Sequence, residues 1–320
     1  MVRITDDILY RVEKPSRYVG GELNEVIKDP KEVDIRFGFC FPDVYEVGMS
    51  HLGSRILYHV LNQRKDTYCE RVYAPWPDME KLMRENNIPL YALETKDPIN
   101  EFNFLAFTLQ YEMSYTNILN MLNMGGIPLR ASERTEKDPL VIAGGPCAYN
   151  PEPLYDIVDI FQLGEGEEGL NDLLDLYQKH KDNFNKEAYL REASHIPSVY
   201  IPSLYDVTYN EDGTIKEFIP KYDDVPKKVK KRIINNFDQV DFPESLIVPY
   251  SEIVHDRVVL ELFRGCTNGC RFCQAGMIYR PVREKSRKTL LDQARKMLKA
   301  TGYDEVSLVS LSTCEDRKSV

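Results

Sequence analysis

Three cysteines, Cys266, Cys270 and Cys273, stand in the segment Arg264-Gly-Cys-Thr-Asn-Gly-Cys-Arg-Phe-Cys273, with C-x₃-C-x₂-C spacing. Ordinary electron-transfer clusters are held by four cysteine thiolates. Three thiolates can hold three irons of a cubane, and the fourth iron then stays open to a substrate or cofactor. Gly265 and Gly269 let the loop fold tightly. Backbone N–H groups there can donate to cluster sulfurs and help set the potential. Two plainer readings compete. Structural zinc wants a fourth ligand, and the nearest candidate, His255, precedes a predicted strand and is poorly placed. Three unrelated buried cysteines are the other reading, and their tight clustering after a strand argues against it.

The elements around this loop form one βαβ unit. Arg257-Val-Val-Leu-Glu-Leu-Phe263 reads as a strand leading into the loop. Ser286 suits the N-cap of a helix running to about Ala300, Gly302 ends it, and Glu305-Val-Ser-Leu-Val-Ser310 is the next strand. Upstream, strands alternate with helices over 31–182: strands at 34–41, 68–73, 102–109, 140–143 and 156–163, and helices at 48–61, 77–87, 113–124 and 166–180. This alternation predicts a doubly wound, mainly parallel sheet. Residues 1–30 read as a polar arm. The range 183–250 reads as a linker carrying a β-hairpin from Tyr205, with Asp212-Gly213 as its turn. Residues 251–320 hold the cysteine unit.

Acidic residues number 51 against 41 basic ones, a formal net charge of −10, which argues against bulk nucleic-acid binding. A local basic strip, Arg280 to Lys288, is the exception to examine, and Lys227 to Arg232 reads as a solvated connector. No apolar run has the length of a membrane span or a signal peptide. Seven cysteines, four of them far apart, do not form a secreted disulfide framework, so a reducing cytoplasm is expected. Cys40, Cys69 and Cys147 read as small buried residues, and Trp76 between two prolines reads as a packing anchor. Glu165, Glu167 and Glu168 begin a helix, where carboxylates complement the dipole; acid–base work is the alternative.

With these residues in view, the chain resembles the radical SAM superfamily. It is most similar to a branch with a fused N-terminal B12-binding-like domain. Beyond the cysteines, the resemblance rests on Ala74-Pro-Trp-Pro-Asp-Met-Glu80, Gln110-Tyr-Glu-Met113, Ala143-Gly-Gly-Pro146 and Asn150-Pro-Glu-Pro153. It continues in Gly164-Glu-Gly-Glu-Glu168, Val254-His-Asp-Arg-Val258 and Ala275-Gly-Met-Ile-Tyr-Arg-Pro-Val-Arg283. It implies a Rossmann-like domain, the linker, and the first part of a radical SAM (β/α) barrel. It also implies a [4Fe–4S] cluster on Cys266, Cys270 and Cys273 whose open iron binds S-adenosylmethionine (SAM). Reductive cleavage would then yield a 5′-deoxyadenosyl radical that abstracts hydrogen from an unknown substrate. An external reductant such as flavodoxin or ferredoxin is implied as partner. Phe272 falls at the position whose backbone touches the adenine in related enzymes; loop packing is its plainer role. The glycine-rich motif that contacts the methionine amino group is replaced here by Ser310-Leu-Ser312-Thr313.

Cobalamin is a further cofactor of such domains. The first loop, Asp43-Val-Tyr-Glu-Val-Gly48, lacks the D-x-H-x-x-G histidine that ligates cobalt, and His51 comes three residues too late, on the first helix. The domain therefore either binds cobalamin without that histidine or serves substrate docking or structure. A second cluster on Cys40, Cys69 and Cys147, as in methylthiotransferases, does not match their spacing. Only 47 residues follow Cys273, too few for a whole barrel. The expectation is thus either a radical SAM enzyme or a truncated, non-catalytic fragment acting at most as an iron–sulfur or partner-binding module.

Overall fold

A computed structural model describes residues 1–312. Six strands form the main sheet: β1 (Ile35–Phe41), β2 (Thr67–Tyr73), β3 (Phe104–Thr108), β4 (Leu140–Gly144), β5 (Ile160–Gln162) and β6 (Val199–Tyr200). Their order is β2-β1-β3-β4-β5-β6, parallel except for the antiparallel β5–β6 pair. The central runs Phe104-Leu-Ala-Phe-Thr108 and Leu140-Val-Ile-Ala143 are buried throughout, as strands covered on both faces must be. Helices α1 (Asp6–Leu9) and α2 (Tyr45–Ser50) are short. The longer helices are α3 (Leu52–Gln63), α4 (Pro77–Glu85), α5 (Tyr115–Met124), α6 (Gly166–His180) and α7 (Lys186–Ala193). The Phe104 ring packs against Phe37, Tyr177 and Tyr189. Burying a side chain of this size contributes about 1.5–3 kcal/mol.

Beyond Lys181 the chain stays attached to the sheet. Strand β6 lies within the segment read as linker and caps the sheet edge at β5. Its two residues are too few to carry a periodic signal. The expected hairpin follows as β7 (Tyr205–Tyr209) and β8 (Ile215–Pro220), turning at Gly213 with φ +83°. Residues 1–30 are likewise more than a polar arm. Ile8, Val12 and Tyr18 join the main core, and the buried Arg17 and Glu22 pair with Glu46 and Arg71. Trp76 is not a buried anchor: it is 41% exposed and lies under the Arg17 guanidinium at 5.2 Å.

The C-terminal unit comprises β9 (Val258–Glu261), β10 (Phe263–Arg264), α8 (Ala275–Ile278), β11 (Arg283–Glu284), α9 (Arg287–Thr301) and β12 (Val306–Val309). Strands β9 and β12 pair in parallel around the crossover helix α9. Ser286 caps α9 by accepting from the Thr289 N–H, and Gly302 ends it in the left-handed conformation. A second core joins the unit to the first domain: Val258, Leu260 and Met297 pack with Ile56 and Val60 of α3 and with Phe242 and Leu246. Helix α3 is therefore apolar on two sides, Leu61 facing the sheet core and Ile56 the C-terminal unit. Among the described residues, no helix is long and apolar enough to cross a membrane.

Candidate functional site

The cysteine loop leaves from β10 and returns at β11. These strands pair antiparallel, Phe263 opposite Glu284 and Arg264 opposite Arg283, and so close the base of the loop. Gly265 has φ +101°, and a Cβ there would meet the Pro281 carbonyl at 2.4 Å, so only glycine fits. The Cys266 N–H donates to Tyr279 O at 2.9 Å, and the Cys273 N–H to Cys270 O at 3.0 Å. All three thiols are free; Cys270 is exposed, and Cys266 and Cys273 are half-buried. Among the described residues, no three Cys, His, Asp or Glu side chains are drawn together closely enough to hold a metal ion. The loop thus carries three free thiols of the type that iron–sulfur clusters use, and they stand apart from one another. Phe272 is 93% exposed, which removes loop packing as its role.

Strong electrostatics surround the base of this loop. Arg264 forms ion pairs with Glu261 at 2.9 Å, Glu167 at 2.6 Å and Glu165 at 3.6 Å. Arg283 pairs with Glu165 at 2.6 Å and donates to Ile234 O at 3.0 Å. The two glutamates start α6, as the sequence indicates, but their side chains cross to the C-terminal unit rather than serving only the helix dipole. Glu168 instead faces Arg232 at 3.4 Å. The connector is not simply solvated: Lys231 donates to Ile278 O and Arg280 O, and Arg232 pairs with Asp172. Nor is the strip at 280–288 a free basic face. Arg283 is paired, and Lys285 is buried with its ammonium 3.6 Å from the Phe242 ring centre. Burial lowers the Lys285 pKa to about 8.

A cavity of about 440 Å³ lies between the carboxyl ends of the sheet strands and the C-terminal unit. The strand order reverses direction around β1 and β3, the switch point where doubly wound sheets bind ligands. The size is within the usual range for small-molecule sites. Apolar walls come from Ile56, Phe107, Ile142 and Phe263, and the rim from Gly145 and Gly164. Both glycines have positive φ, and a Cβ at Gly164 would meet Arg232 O at 2.3 Å. Gln162 borders the cavity; its amide nitrogen donates to Ser198 Oγ at 2.7 Å, while its buried Oε1 has no partner. Ser310, at the end of β12, also lines the cavity, as do Gly265, Ile278 and Tyr279 of the cysteine loop. Ser312 is half-buried beyond Ser310, and Thr313 lies outside the described residues. Sequence reading missed Gln162, Arg264 and Lys231, because their significance depends on partners 36 to 97 positions away.

His51 does not lie within a helix. It is the N-cap of α3, where Nδ1 accepts from the Ser54 N–H at 3.1 Å, and its ring borders the cavity. Burial lowers its pKa from 6.5 to about 4, so it is neutral at pH 7. The unfolded chain takes up the extra proton as pH falls from about 6.5 to about 4. Stability is therefore full above that window and is lost through it. His51→Asn keeps a capping acceptor and should flatten the profile. Denaturant titrations across the window should show the wild-type chain losing up to about 3 kcal/mol more than the variant, at about 1.4 kcal/mol per pKa unit. Parallel profiles would exclude this role. Of the remaining cysteines, Cys40, Cys69 and Cys147 are buried as expected, and burial pushes the Cys40 thiol up. Cys314 lies outside the described residues.

Residues 53–202 match the family of radical SAM proteins, N-terminal. Over 275 residues the chain is 26% identical to Uncharacterized protein MJ0966 of Methanocaldococcus jannaschii. The alignment covers 85% of this chain and 48% of that relative, so the chain spans about half the relative's length. Two structures of the radical S-adenosylmethionine methyltransferase TsrM from Kitasatospora setae are similar at 13% identity. The one with cobalamin and a [4Fe–4S] cluster has a TM-score of 0.50, covering 86% of this chain and 48% of that one. The other, with tryptophan substrate and a SAM analog, has a TM-score of 0.48 and covers 86% and 47%. The first of these likenesses is one of fold, in agreement with the mixed α/β architecture and its parallel central sheet. The family match is confined to residues 53–202 and ends before the cysteine loop.

Proposed function

We propose that this chain supplies the cluster-binding portion of a radical SAM enzyme, with Cys266, Cys270 and Cys273 holding a [4Fe–4S] cluster that binds SAM at its open iron. The observation that carries the reading is the C-x₃-C-x₂-C loop closed at its base beside a 440 Å³ cavity. When bound, the cluster and SAM supply one-electron cleavage of the sulfonium and a 5′-deoxyadenosyl radical for hydrogen abstraction. The chain's own residues shape the site. Gly265 allows the tight exit from β10, the Phe272 backbone is assigned to the adenine, and Ser310 and Ser312 to the methionine end. An external flavodoxin or ferredoxin would reach the cluster from the exposed side of the loop, where Cys270 and Phe272 face solvent.

The same exposure favours a second reading, an iron–sulfur or partner-binding module without turnover. Anaerobic reconstitution distinguishes the two. Dithionite-reduced protein with SAM should form 5′-deoxyadenosine; iron and sulfide in near-equal amounts without that product would select the module. Zinc in place of iron would overturn both. The cavity is assigned to cobalamin or to substrate docking. A corrin absorption band retained through gel filtration selects cobalamin, and its absence after reconstitution selects docking.

A further inference from the structure

We propose that Glu165, the N-cap of α6 in the N-terminal domain, and Glu167, on its first turn, are positioning residues for the cysteine loop. The proposal rests on the cluster reading above for its consequence, though not for its geometry. The loop runs for 18 residues from Gly265 to Val282, and α8 is its single helical turn. Both of its ends are held by carboxylates of the other domain. Glu167 grips Arg264 at 2.6 Å, immediately before Gly265, and Glu165 grips Arg283 at 2.6 Å, immediately after Val282. All four side chains are at most 15% exposed, so water screens these pairs weakly. Glu165 also reaches Arg264 at 3.6 Å, so one carboxylate spans both strands. Lys231 adds a third hold by donating to the carbonyls of Ile278 and Arg280 inside the loop.

The intrinsic support of the loop is slight by comparison. Strands β10 and β11 contribute two residues each. A two-stranded ribbon of that length is not stable alone in water. Gathering three thiols on one cluster requires their backbone to start from a fixed base, since every free dihedral adds an ordering cost. The turn at Gly164 to Glu167 also borders the cavity, so the residues that hold the loop share a wall with any bound molecule.

Hydrogen–deuterium exchange on the apo chain tests the hold without any metal. In Glu165→Gln/Glu167→Gln, the hydrogen-bonded loop amides of Cys266, Cys273, Met277, Ile278 and Tyr279 should exchange about ten-fold faster or more, as expected when buried pairs lose a partner, while sheet amides stay protected. Glu168→Gln, on the same turn but facing Arg232, should leave the loop unchanged. Should the double variant fail to fold, Arg283→Gln and Lys231→Met each release one hold and should accelerate exchange in the same segment. After anaerobic reconstitution, a chelator should remove iron several-fold faster from the double variant than from the wild-type chain. Unchanged loop exchange in all the variants would overturn the proposal. A wild-type chain that retains no iron would instead overturn the cluster reading, leaving the exchange result to judge the hold by itself.

Discussion

Single alanine substitutions of Cys266, Cys270 or Cys273 should each reduce iron and acid-labile sulfide in the reconstituted chain by more than about ten-fold, the loss that even outer-shell changes can reach at metal sites. Formation of 5′-deoxyadenosine should disappear with them. A cubane with three protein thiolates already has one open iron, and removing a further thiolate exposes a second iron to water. Cys270 is the most exposed of the three, so its substitution costs the apo fold least and is the cleanest probe. Cys147→Ala is the matched control, a buried thiol near the cavity rim and outside the loop. Iron retained in the single variants, or lost equally from the control, would sink the assignment.

The largest effect on stability is expected at Arg71. It lies on β2, 4% exposed, and its guanidinium meets three carboxylates: Glu94 at 2.6 Å, Glu22 at 2.9 Å and Glu25 at 3.2 Å. The Glu22 and Glu94 side chains are fully buried. Burial pushes the Glu22 carboxyl up, and the charge and hydrogen bond of Arg71 overcome this to hold it below its ordinary range. Arg71→Ala leaves these carboxylates buried without their cation. Breaking a buried pair in this way costs about 3–5 kcal/mol, a large part of a typical domain stability of about 5–15 kcal/mol. Arg71→Lys should recover part of this, because a single ammonium cannot fork to three partners. Denaturant midpoints and soluble yield measure both variants. An Arg71→Ala midpoint equal to the wild type would show that the cluster contributes nothing net.

Local chemistry made much of this legible in advance. The β4 strand at Leu140–Gly144 and helix α6 at Gly166–His180 appear where their apolar patterns place them, because each buries its stripe against one sheet. The Ser286 cap and the Gly302 stop rest on short-range hydrogen bonds and a single φ value, which neighbouring residues specify. Strand β6 and the buried residues of the N-terminal segment were not legible. A two-residue strand and isolated charged residues such as Arg17 and Glu22 acquire their environment only from distant chain.

The sequence by itself determined the spacing, three thiols at C-x₃-C-x₂-C with glycines at 265 and 269. Residue type and loop length are local properties, so they can be read from spacing. Only the tertiary structure decided what holds that loop and what lies beside it. Glu165 and Glu167 read as ordinary helix-start carboxylates until folding brings them to Arg264 and Arg283, nearly one hundred or more positions away. The cavity likewise belongs to no segment, since its walls come from both domains and the connector. Charge pairing and enclosure depend on distance in space, and a linear pattern carries no record of that distance.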